Sequence, residues 1–373
     1  MAPHFQFDET SHEVARIKIL GVGGGGGNAV DYMIEQGLNS VEYISLNTDR
    51  QALSRNRSDV KIQVGSHLTG GLGAGARPEI GREAVEESRN QIEEAVEGAD
   101  MVFITAGMGG GTGTGGAPVI AGIARRKGIL TVGIVTTPFH YEGKVRMQYA
   151  LEGINEMRMN CDTLIVIPNE RLLELSDETT SMVSAFAMAN DVLYNATKGI
   201  SDLVILPGLI NLDFADVRTT MTNGGAAIMG SASASGAERA EVAAMKAIHS
   251  PLLDGVSMQG ARNVLVNISS DESLGMHETM TATRIIKQEA GDDAEIIIGT
   301  VLDPANEDQL RVTVIATGFE LEDGSAQIRL APSDRAGGQP ANLPLQGLSG
   351  SGQGQPGFGA SRLTGLPGGS GRA

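Results

Sequence analysis

The chain has 373 residues, 41% of them hydrophobic and only 3% aromatic, with no Trp and a formal net charge of -17. That length holds one large or two ordinary domains. The charge repels phosphate backbones and the scarcity of rings leaves no base-stacking platform, so nucleic-acid binding is excluded as a leading reading.

The opening residues, MAPHFQFDETSHEVAR, lack the basic-then-apolar pattern of a signal peptide. No apolar run approaches the ~20 residues that span a bilayer, and a cytoplasmic protein without direct membrane insertion is expected. The single cysteine, Cys161, allows neither an internal disulfide framework nor a Cys-based zinc site.

From Arg16 the strand-like IKILGV, the helix-like NAVDYMIEQGL and the strand-like VEYISLNT follow one another. Then come ADMVFITAG, a helix-like PVIAGIARRKG, TVGIVTTP, a helix-like RMQYALEGINEMR and TLIVIP. Short β-rich runs between amphipathic helices predict a mostly parallel sheet covered on both faces, an α/β class.

The segment TTSMVSAFAMANDVLYNATKGI carries Met182, Phe186, Ala189, Leu193, Ala196 and Ile200 at three-to-four-residue spacing, which predicts one long buried helix. LVILPGLI is expected to open a second α/β segment, with EVAAMKAI as a helix and NVLVNISS, AEIIIGTVLD and LRVTVIATGF as strands. The expected division is an N-terminal extension at 1–13, a nucleotide-binding domain over 14–178, a central helix over 179–202, a smaller α+β domain over 203–322 and a flexible Gly/Pro-rich tail over 323–373.

Two glycine runs stand out. GVGGGGGNAV matches G-x-G-x-x-G between a strand and a helix, and GMGGGTGTGG from Gly107 repeats that setting after MVFIT. Bare backbone turns sharply and brings N–H groups close to phosphate oxygens at a helix N-terminus. Two such loops after neighbouring strands converge at the carboxyl ends of one parallel sheet, where a single polyphosphate can touch both. Asp49 lies ~20 residues after the first run, as in a dinucleotide enzyme, yet that fold has no use for a second glycine loop. No G-x-x-x-x-G-K-[ST] is present, which excludes a P-loop NTPase.

GGGTGTG, the first glycine loop and NLDFADVR together resemble the tubulin superfamily. With GLGAGARPEIG, IPNERLL and AFAMANDVL, the chain from about Val14 to Phe319 is similar to the FtsZ family of prokaryotic cell-division GTPases. The resemblance implies a tubulin-like two-domain architecture: a parallel-sheet GTP-binding domain, a long central helix and a smaller α+β domain. It also implies head-to-tail self-assembly at the mid-cell division ring, with GTP hydrolysed where one subunit meets the next.

The same resemblance assigns roles. Gly24, Gly25, Gly26, Gly27 and Asn28, with Gly111, Thr112 and Gly113, become phosphate cradles, and Gly73, Ala74 and Gly75 a loop sensing the terminal phosphate. Phe186 and Asn190 share a helix face. Asp191 beside them is the candidate guanine reader, because a carboxylate accepts from the two N–H groups on one edge of guanine. Asn169, from IPNERLL, joins the GTP-binding set. Glu142 and Arg146 are either a surface i,i+4 pair or, by resemblance, contacts to ribose and phosphates. Asn47 and Asp49 either make a turn or match positions near magnesium, which takes most of its ligands from phosphates and water, so no protein metal cage is expected.

Hydrolysis needs a positioned water. Asn211, Asp213 and Asp216 in NLDFADVR are the implied catalytic group, acting in the next subunit's pocket. As plain structure, Asp213 and Asp216 are helix-capping acids. Family members end in an acidic, apolar peptide that docks membrane-anchoring adaptors; here PGFGASRLTGLPGGSGRA replaces it. Division-ring regulators and adaptors are implied partners, and the adaptors are not identifiable from this tail.

Overall fold

The computed structural model describes residues 15–175, 180–206, 208–210, 212–253 and 258–319. The extension at 1–13, Asn211 and the tail over 323–373 lie outside the described residues.

Strand β1 (Ile17–Val22) is central, with β2 (Glu42–Asn47) on one side and β4 (Met101–Gly107) on the other, both parallel to it. Strands β3 (Val60–Gln63), β5 (Leu130–Thr137) and β6 (Thr163–Pro168) extend this parallel sheet in the order β3-β2-β1-β4-β5-β6. Every residue of β5 is buried, as expected of a strand covered on both faces. Alternation along β1 splits the core: Leu20 and Val22 join the cluster on one face, Ile17 and Ile19 that on the other.

The helices of this half are α1 (Gly23–Glu35), α2 (Arg50–Arg55), α3 (Ser66–Thr69), α4 (Pro78–Glu87), α5 (Arg89–Ala95), α6 (Thr112–Arg126), α7 (Lys144–Asn160) and α8 (Asn169–Leu172). Two of them start earlier than expected. The glycines of the first run form the opening turn of α1, which was expected to begin near Asn28, and α6 begins at Thr112 with Pro118 inside it. Helical backbone was hidden there because glycine has low intrinsic helix preference.

The long helix α9 (Met182–Ile205) is capped by the Ser181 side chain, which accepts from the Ser184 N–H. Its residues Leu193, Ala196, Ile200 and Leu203 share one core with Ile19 of β1 and with Leu265, Val301 and Ile315 further along the chain. LVILPGLI, expected to open the second α/β segment, is divided: Leu203–Ile205 close the helix, Leu206 is extended, and Gly208–Ile210 form β7. A short apolar run reads equally as buried helix or strand, and continuity with the preceding helical stripe decides it.

Helix α10 (Phe214–Met221) leads into β8 (Gly225–Ser235), which was not anticipated. β8 is the splice of the molecule: Gly225 to Ala227 pair parallel with β6, and Ile228 to Ser235 pair antiparallel with β11 (Gln309–Thr317). Beyond it lie α11 (Arg239–Ile248), β9 (Asn263–Ser270), α12 (Met276–Ala290) and β10 (Glu295–Leu302), with the sheet order continuing β8-β11-β9-β10-β7.

Candidate functional site

A cleft of about 390 Å3 opens at the carboxyl ends of β4 and β5. Helices α1 and α6 start on it, and neither has a side-chain cap or an acid in its first turn. The orphan N–H groups and positive dipole ends of two long helices are thus left uncapped by their own first turns, an arrangement suited to phosphate.

Gly24, Gly25, Asn28, Gly111, Thr112 and Gly113 all line this cleft. The two loops interlock backbone to backbone: a Cβ on Gly25 would stand 3.1 Å from the Gly107 Cα, and one on Gly113 would stand 2.8 Å from the Gly107 carbonyl oxygen. Gly24 faces open space. Gly26 is glycine for another reason, because a Cβ there would reach 2.3 Å from the Thr105 carbonyl oxygen. Helix-on-strand packing demands it, and it is not in the cleft lining. Gly27 lines a smaller adjoining recess with Asn28 and Asn47.

The wall opposite is built by α9, the single 3-10 turn His140–Glu142 before α7, and the start of α8. Phe186, 42% exposed, meets the Phe139 ring edge-on at 5.4 Å, and Asn190 lies one turn along. Arg146 pairs with Glu142 at 3.0 Å, while Glu142 also accepts from the Phe139 N–H at 2.9 Å. The i,i+4 pair and the cleft position thus coexist. Asn169 is 5% exposed, and its Oδ1 has no hydrogen-bond partner among the described residues. A buried acceptor without a donor is costly, which suits this position to a ligand hydroxyl or N–H.

Asp191 lies outside that lining. Its Oδ1 accepts from the Tyr32 hydroxyl at 3.1 Å and its Oδ2 from the Asn195 amide at 2.9 Å. Burial and the neighbouring Asp191 charge push the Tyr32 hydroxyl up to about 12, so it remains a donor.

The loop of Gly73, Ala74 and Gly75 touches the second phosphate-loop candidate. A Cβ on Gly111 would lie 2.8 Å from that of Ala74, and the Gly73 N–H donates to the Thr48 carbonyl at 3.3 Å. Asp49 caps α2, accepting from the N–H groups of Gln51 and Ala52. Among the described residues no group of three or more His, Cys, Asp or Glu side chains is arranged to hold a metal. Asn47 and Asp49 fit a cation only as minor contributors to a shell supplied by phosphate and water.

Asp213 and Asp216 are elsewhere. Asp213 is the N-cap of α10 and accepts from the Asp216 N–H at 3.0 Å. The far end of that helix docks on the amino-terminal edge of the sheet: Arg218 donates to the Gly128 carbonyl, and Thr163 donates to that of Met221. β5 spans eight residues between that edge and Thr137 in the cleft, about 25 Å at the usual strand rise. One chain does not bring these acids to its own cleft.

Gly107, Met108 and Gly110, all within the second glycine run, also line the cleft, as do Thr136, Thr137 and Pro138, which were not singled out in the sequence. Thr136 and Thr137 carried a usable signal, since they end the strand-like run TVGIVTTP at the edge where open α/β sheets bind ligands.

The profile of the Tubulin/FtsZ family, GTPase domain, matches residues 16–177, and that of the FtsZ family, C-terminal domain, matches 225–320. An empty FtsZ dimer from M. jannaschii is similar at 43% identity and a TM-score of 0.78, covering 82% of this chain and 88% of that one. Two proteins from Haloferax volcanii share the fold at 22% identity. CetZ1, a GDP-bound monomer, has a TM-score of 0.72 and covers 82% of this chain and 94% of its own. CetZ2, a GTPγS-bound protofilament, has a TM-score of 0.68 and covers 83% and 94%.

Proposed function

The chain belongs to the Tubulin/FtsZ family, and from that premise we propose that it is a cell-division GTPase that binds GTP in the cleft, assembles head to tail and hydrolyses GTP where successive copies meet. The observation that carries this reading is a separation within one chain: the starts of α1 and α6 lie at the carboxyl edge of the sheet, and Asp213 and Asp216 by the opposite edge.

Each part has a chemical task. The N–H groups of α1 and α6 cradle the phosphates, Phe186 offers a ring face to the base, and Asp191 accepts from guanine N–H groups. Glu142, Arg146 and Asn169 hold ribose and phosphate. Magnesium, bound mainly through phosphate oxygens and water with Asn47 and Asp49 nearby, supplies charge neutralisation on the phosphates. The carboxylates of Asp213 and Asp216, with Asn211, orient and polarise the attacking water above the next copy's cleft.

Such a contact joins two different surfaces and so propagates as an open filament. Exposed apolar side chains on both surfaces support this: Leu72 at 88% and Tyr141 at 58% beside the cleft, Leu209 at 64% and Ile210 at 49% next to Asp213. On this reading 14–178 bind nucleotide, 179–202 form the central helix and 203–322 deliver the catalytic acids, while adaptors and regulators at mid-cell engage either a short segment of 323–373 such as SRLTGL or another surface of the protein. Sedimentation with GTP or GDP, alongside phosphate release, tests it. Assembly and turnover that require GTP support the reading, and turnover without any assembly contradicts it.

A further inference from the structure

Asp191 is the first link of a polar chain that runs from α9 to β11 and β8. Its two oxygens take one hydrogen bond each, from Tyr32 on α1 and from Asn195 one turn further along α9. Asn195 in turn accepts, through its Oδ1, from Nη1 of Arg311 at 2.6 Å. Arg311 lies on β11, and its Nε donates to Ser233 on β8 at 3.1 Å. Residues of four elements, α1, α9, β11 and β8, thus form one hydrogen-bonded chain, with Tyr32 and Asn195 bonded to the carboxylate itself.

The chemistry gives this chain a direction. An amide has one accepting and one donating end, whereas a guanidinium only donates. Arg311 therefore dictates which end of Asn195 faces it, and the NH2 end is left to face Asp191. Without Arg311 the amide is free to turn its oxygen toward the carboxylate, which replaces a donor with a repelling acceptor. A carboxylate has about four acceptor positions, so the two internal donors fix its plane while leaving positions for two incoming N–H groups. The edge-on ring of Tyr194, 6.2 Å from that of Tyr32, braces the Tyr32 donor.

We infer that Asn195 and Arg311 are positioning residues for guanine recognition: Arg311, which touches no nucleotide, sets the polarity of Asn195 and through it aims the Asp191 carboxylate. The inference rests on the reading of Asp191 as the guanine acceptor. It makes base selectivity a property of β8 and β11 as well as of the phosphate-binding half.

The test is competition binding of GTP and ATP to the full chain below its assembly concentration, in Asp191→Ala, Arg311→Met, Arg311→Lys, Asn195→Ala and the Arg311→Met/Asn195→Ala double variant. Losing one charge-assisted contact is expected to lower GTP affinity about tenfold. Arg311→Met and Asn195→Ala should each do so with ATP affinity unchanged, Arg311→Lys should restore most of the loss, and the double variant should lose no more than either single one. Retained GTP preference in both Arg311→Met and Asn195→Ala, when Asp191→Ala has lost it, overturns the inference alone. Equal weakening of GTP and ATP marks a merely structural role and overturns it too. Retained preference in Asp191→Ala instead overturns the base reading beneath it.

Discussion

The hydroxyls of Thr48 and Thr112 lie 2.6 Å apart, with both residues buried, so the residue after β2 is tied directly to the first residue of α6. The Thr48 carbonyl accepts in addition from the Thr69 hydroxyl and the Gly73 N–H. One residue therefore joins a phosphate-cradle candidate to the loop proposed to sense the terminal phosphate. Thr48→Val keeps the shape and strands the Thr112 hydroxyl, which should cost about 1–3 kcal/mol of stability. Urea unfolding measures that cost, and GTP should lose its affinity advantage over GDP in the same variant. An unchanged unfolding midpoint and an unchanged GTP-to-GDP ratio would remove Thr48 from this role.

Neighbouring glycines should respond in opposite ways. Gly24→Ala meets nothing within 4 Å among the described residues and should not lower the unfolding temperature, while weakening GTP binding because the added methyl enters the cleft. Gly26→Ala places a methyl 2.3 Å from the Thr105 carbonyl oxygen. Alanine favours a helix by about 1 kcal/mol over glycine, so marked destabilisation there isolates the packing clash. Calorimetry with a GTP titration separates the two, and a stable Gly26→Ala protein would contradict the assignment.

Much of this was legible in the sequence, for identifiable reasons. The glycine runs and the parallel strands announced themselves because each lies within one short stretch, as Gly107 to Gly116 does. β8 stayed hidden because GAAIMGSASAS is built from small residues with little strand preference, although it splices the two halves of the sheet. Arg311 and Tyr32 stayed hidden for a different reason: only the fold brings residues so distant in sequence to Asp191. The role of Gly26 was blurred because a run of glycines does not reveal which one packs and which one opens on a ligand.

Cys161 is sealed in the core at 4% exposure, its S–H donating to the Met157 carbonyl at 2.9 Å. Burial, and secondarily the Asp162 charge, push its thiol up to about 12. Native protein at pH 8.5 should resist iodoacetamide, while urea-unfolded protein is alkylated fully. The sign of the linkage follows. Between about pH 9 and 12 the unfolded chain has lost the proton that the folded chain keeps, so this group's contribution to stability falls as pH rises through that window. Labelling of the native protein at the rate of a free thiol would contradict this burial.

Asp216→Asn keeps the capping geometry of α10, since the Asp216 backbone N–H, and not its side chain, bonds to Asp213. It should bind GTP as the parent chain does, assemble, and hydrolyse about 100-fold more slowly. Mixed with Gly24→Ala chains, whose cleft is impaired and whose loop is intact, it should recover turnover, because its own intact cleft then receives a working loop from the neighbouring copy. Turnover no greater than the sum of the two variants alone would argue for a site complete within one chain.

The separation of Asp213 and Asp216 from the cleft, along the length of β5, is tested most directly by GTP turnover per molecule as a function of protein concentration. A site completed by the next copy predicts negligible turnover below an assembly threshold and a rise to a plateau above it. Turnover per molecule that stays constant from the lowest concentrations upward would contradict it.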